Sequence, residues 1–78
     1  MRGNMIRIYK HTILAIPDGN GCKDFVRVDY YAGRFTVSAD SPCSFIREHS
    51  LPNESVTKSW LVGWLSRLPN GTESYEGA

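Results

Sequence analysis

The chain has 78 residues, 41% of them hydrophobic and 22% charged, with nine Lys and Arg against eight Asp and Glu. Such a length supports one domain, and a chain this short buries only about 60% of the surface its unfolded form exposes. It can hold one sheet packed on one helical layer, which argues against a deep substrate cleft and an enzyme; the composition excludes wholesale disorder, and no run approaches the ~20 apolar residues of a membrane span.

Segment 5–17 (MIRIYKHTILAIP) is rich in Ile and Tyr and stops at Pro17. Asp18-Gly19-Asn20-Gly21 follows, a strong turn signal because Gly and Asn accept the positive φ of tight hairpins. Segment 24–31 (DFVRVDYY) alternates in strand fashion, Ala32-Gly33 allows a two-residue turn, and segment 34–40 (RFTVSAD) alternates again. A two-residue loop at Ala32-Gly33 sets Tyr30 opposite Phe35, Val28 opposite Val37 and Val26 opposite Ala39, with every apolar residue on one face; a slip by one residue scatters them. Pairing Leu14 with Val26 adds Leu14 and Ile16 to that face. Lys10 and Thr12 also fall there, so the first strand is expected to bulge near Lys10–Thr12 or to break in two.

The pattern turns helical after Asp40. Ser41 as N-cap and Pro42 at the first helical position predict a short helix from Pro42 to His49, interrupted by Leu51-Pro52. Asn53 or Ser55 then caps a main helix that runs to Leu68 and ends at Pro69-Asn70-Gly71. Val56, Trp60, Leu61, Trp64, Leu65 and Leu68 form its apolar stripe. Trp60 and Trp64 read as core, and Gly63 between them as a point of close approach to the sheet. The predicted fold is α+β: a three-stranded antiparallel β-meander followed by a short and a longer α-helix on one face (β-β-β-α-α), one domain over 1–69, with 70–78 a polar, disordered tail. Without Glu73 and Glu76 of that tail the domain holds nine basic and six acidic residues, a charge of +3. This is too weak a balance to announce nucleic acid.

Candidate chemistry is sparse. Cys22 and Cys43 allow one bridge at most, and Met1-Arg2-Gly3-Asn4-Met5 lacks the apolar stretch of a signal peptide; both cysteines read as free thiols of a cytoplasmic protein. His11, Cys22, Cys43 and His49 lie eleven, twenty-one and six positions apart, unlike the close pairs of structural zinc sites. His11 falls opposite Asp29, but no Ser or Cys stands beside them for nucleophilic catalysis. Gly19-Asn20-Gly21 precedes a strand, whereas a phosphate loop opens a helix. No catalytic residue, metal or cofactor is therefore expected.

The outer sheet face stands apart. Arg7, Tyr9, Phe25, Arg27, Tyr31 and Arg34 share it, and Tyr9 is expected to face Tyr31. Arg and aromatic residues are the types enriched where proteins meet partners. The expected function is a small non-enzymatic binding protein that docks these six residues on a protein partner. The alternative is a nucleic-acid-binding module that stacks bases on the same face. In size and composition the chain resembles phage-encoded inhibitors of bacterial defence, anti-CRISPR proteins among them. That resemblance of type implies a protein partner and inhibition by occlusion.

Overall fold

A computed structural model describes residues 6–39 and 51–77. Its elements are β1 (His11–Pro17), β2 (Lys23–Tyr31), β3 (Arg34–Ala39), α1 (Lys58–Ser66) and β4 (Glu73–Glu76). The strands form one antiparallel sheet in the order β3-β2-β1-β4.

The two hairpins follow from turn chemistry. Ala32 and Gly33 both take positive φ, 52° and 83°, the two-residue turn whose twist matches its flanking strands. Gly33 adopts this freely, whereas Ala32 carries a left-handed backbone that costs an L-residue about 1–2 kcal/mol. Between β1 and β2 the Asp18 carboxylate accepts the N–H groups of Asn20 (2.7 Å) and Cys22 (3.2 Å). The resulting register pairs Leu14 with Val26, Val28 with Val37, and Tyr30 with Phe35, as the alternation predicts.

The inner face is sealed at its centre. Thr12, Leu14, Ile16, Val26 and Val28 are all 0% exposed, and Leu61, Trp64 and Leu68 close over them together with Val37 and Val56. Trp60 stacks on Trp64 at 6.0 Å and is half-buried at the margin of this core, as are Phe35 and Leu65. Tyr30 shares the inner parity but remains 42% exposed.

The predicted β-β-β-α-α layout is wrong in two respects. First, the sheet has a fourth strand, built from residues expected to be a disordered tail. Thr72 donates its N–H and hydroxyl to the Pro69 carbonyl (3.3 and 2.7 Å), closing a turn after the helix. Glu73–Glu76 then runs back along the free edge of β1, with Ile13 opposite Tyr75 and Ala15 opposite Glu73.

Second, one helix is present among the described residues, and it is shorter than expected. Val56 is bound to Phe35 by two backbone hydrogen bonds of 2.9 and 2.7 Å, so the chain stays extended there and Thr57 becomes the N-cap, accepting the Trp60 N–H at 3.2 Å. The helix predicted over Pro42–His49, and Cys43 and His49 with it, lies outside the described residues. Gly63 does not serve a close approach: a Cβ at that position would meet only Arg67 Nη1, at 3.8 Å.

The interruption expected near Lys10–Thr12 is present, and β1 begins at His11. The buried Thr12 hydroxyl accepts the Tyr9 N–H (2.6 Å) and donates to the Tyr9 carbonyl (3.1 Å), which bends the chain at Lys10 and ends the strand there. The polar residue awkwardly placed on the core face is thus satisfied by the break it imposes.

Candidate functional site

The outer face of the sheet is assembled by the alternate residues of four strands. Across its middle run Ser38, Arg27, Ile13 and Tyr75, one from each strand; Phe25, Ala15 and Glu73 form the next row, and Thr36, Asp29 and His11 the row on the other side. Ala15 is 2% exposed, while Phe25, Tyr75 and Tyr31 are 39%, 50% and 81% exposed. The aromatic rings stand out, while Ala15 beside them is covered.

Charge on this face is organised around Asp29. Its two oxygens are held separately, Oδ1 by His11 Nδ1 at 2.8 Å and Oδ2 by Arg27 Nε at 3.0 Å. Partial burial works against the charged carboxylate, but these hydrogen bonds and the Arg27 charge outweigh it, and the Asp29 pKa lies below its ordinary value. At the β4 edge the Tyr75 hydroxyl donates to Glu73 Oε1 at 2.6 Å, and Lys23 Nζ approaches the same oxygen at 3.6 Å. The Tyr75 bond, helped by Lys23, lowers the Glu73 pKa; the same bond raises that of the Tyr75 phenol.

Four of the six predicted contact residues, Phe25, Arg27, Tyr31 and Arg34, occupy the outer face. Arg34 is also an anchor, since its Nε and Nη2 donate to the Ser55 hydroxyl (2.9 Å) and carbonyl (2.7 Å). Arg7 and Tyr9 precede the strand break and are not part of the sheet. Arg7 donates its backbone N–H to the Ser74 hydroxyl at 3.2 Å. Tyr9 does not face Tyr31; it lines a cleft on the other side of the sheet with Tyr30 and Phe35. Tyr75, which belongs to the face, was missed because its strand is set by tertiary pairing.

The hydrogen-bonded partner of His11 is Asp29, and the imidazole Nδ1 is occupied by that bond. Among the described residues no three His, Cys, Asp or Glu side chains converge as a metal site, and Cys22 is a free, exposed thiol. No described helix is long and apolar enough to cross a membrane. Comparison with protein-family models, curated proteins and solved structures finds no match for this chain.

Proposed function

We propose that the chain is a small non-enzymatic binding protein that docks the outer face of its sheet onto a protein partner in the cytoplasm. The carrying observation is the set of exposed rings, Phe25, Tyr31 and Tyr75, spread over one face around Arg27. Rigid aromatics on a strand present large apolar area at little entropic cost, and with Arg they dominate interface energetics. Such a protein acts by covering its partner, the mode of phage-type inhibitors such as anti-CRISPR proteins. A free thiol on Cys22 suits a reducing compartment.

Affinity capture followed by calorimetry on the purified partner tests this reading. Tyr31→Ala should weaken binding about thirtyfold, or roughly 2 kcal/mol, while the melting temperature changes little. Binding should also persist at physiological salt, where contacts made through several phosphates fall away steeply. Full affinity in folded Tyr31→Ala and Phe25→Ala variants would refute the outer face as the interface.

A further inference from the structure

The open end of the inner face carries a second, chemically different surface. A cleft of about 590 Å³ lies there, lined among the described residues by Ile8, Tyr9, Lys10, Tyr30, Phe35 and Lys58. Its size falls within the range of roughly 300–1,000 Å³ typical of ligand sites. Three of the six lining residues are aromatic, two are lysines and none is acidic. Tyr30 and Phe35 meet with ring centroids 4.9 Å apart at 50°, and Tyr30 stays 42% exposed on a face whose centre is sealed. Tyr9 is brought to this cleft by the Thr12 hydroxyl, which holds both backbone groups of Tyr9.

The charges are as distinctive as the rings. Among the described residues neither Lys10 nor Lys58 has a carboxylate partner. Lys58 is the first residue of α1, whose opening turn contains no acidic side chain, although a helix N-terminus favours negative charge. Two unmatched ammonium groups beside exposed rings complement a ligand that joins a planar ring to an anion. Lysine binds phosphate as a point charge, and a nucleotide joins such an anion to a planar base.

We propose that this cleft binds a nucleotide of single-stranded nucleic acid, its base against Tyr30 and Tyr9 and its phosphate between Lys10 and Lys58. A single strand fits better than a duplex because its bases are free to stack on side chains. The site is separate from the proposed protein-binding face, since Lys10, Lys58 and Tyr30 all lie off it.

Fluorescence anisotropy with labelled oligothymidylate at low salt tests the proposal on the intact chain. Tyr30→Ala should weaken binding by about tenfold or more, the worth of one stacked base. The double variant Lys10→Ala/Lys58→Ala alters only exposed side chains and guards against misfolding of the first. It should flatten the slope of log affinity against log salt by about 0.7, the loss of one neutralised phosphate on a single strand. Thymidine monophosphate should compete only weakly, and tripolyphosphate should not reproduce the Tyr30 dependence. Absence of oligonucleotide binding at low salt, binding unchanged in the folded double variant, or equal competition by the free mononucleotide would each overturn the proposal.

Discussion

The two faces of the sheet are cut from the same strands, yet they solve opposite problems. Along β2, Val26 and Val28 are fully buried while Phe25, Arg27, Asp29 and Tyr31, alternating with them, retain contact with water. The inner face has small β-branched and aliphatic side chains where α1 presses down, and its two large rings, Tyr30 and Phe35, only at the margin. The outer face places its large rings in the open and covers Ala15, which lies between Phe25 and Glu73. Burial is thus concentrated in one face, and exposed rings and charges in the other and along the rim. A substitution should report which of these it touches by whether it moves the melting transition or the binding isotherm.

The largest effect should come from breaking the inner face at its heaviest member. Trp64 is 3% exposed, and Trp64→Ala should cost about 3–5 kcal/mol, comparable with the whole stability a domain of this size commands. Circular dichroism should show that variant largely unfolded at room temperature. Val37→Ala, at about 1–3 kcal/mol, should remain folded with a lower urea midpoint. A midpoint unchanged by Val37→Ala would contradict the observed register.

A smaller effect is expected where the two regimes join. Thr12→Val keeps the volume and removes the hydroxyl that satisfies Tyr9, which should cost about 1–3 kcal/mol for polar groups left without partners. Amide exchange at Tyr9 should accelerate more than exchange in β2. Uniform acceleration along the chain would mean that Thr12 supports the fold as a whole and not the bend at Lys10.

The smallest effect belongs to the outer face. The folded Asp29 pKa lies below its ordinary value of 3.8, so its ion pairs stabilise the fold above that value and lose the contribution as pH falls through the folded pKa. The carboxylate is partly exposed, which limits the contribution to less than about 1 kcal/mol. Urea midpoints of the wild type and Asp29→Asn should therefore differ modestly at neutral pH and converge in acid. A gap that persists at low pH would show that Asp29 supports packing and not charge.

The parts of this fold legible in the sequence were those fixed by local chemistry. Ala32-Gly33 specified its turn, and the alternation of Val26, Val28, Val37 and Leu14 specified both registers. The outer-face positions of Phe25, Arg27, Tyr31 and Arg34 followed from that parity. What escaped was set by contacts distant in the chain. Glu-Ser-Tyr-Glu at 73–76 has no apolar alternation and becomes a strand because β1 offers a free edge. Val56 fits a helical stripe but is claimed by Phe35, which moves the helix start to Thr57. Tyr9 is the local exception: a break near Lys10–Thr12 was legible, but the face to which it sends Tyr9, whose outer parity needs a continuous β1, was not. The cleft that Tyr9 helps to line was therefore invisible to any argument from alternation.

The bond between Val56 and Phe35 also bears on what happens when many copies of the chain are crowded together. A sheet with two bare margins offers neighbours a template in both directions, the geometry of an open-ended fibre. Here Val56 already occupies the backbone groups of Phe35 on the β3 margin, and Arg34 is clipped to Ser55 beside it. An incoming strand must first displace that segment, whereas β4 has no strand beyond it among the described residues. Strand-to-strand association is thereby biased towards one margin, where growth ends once two copies have met.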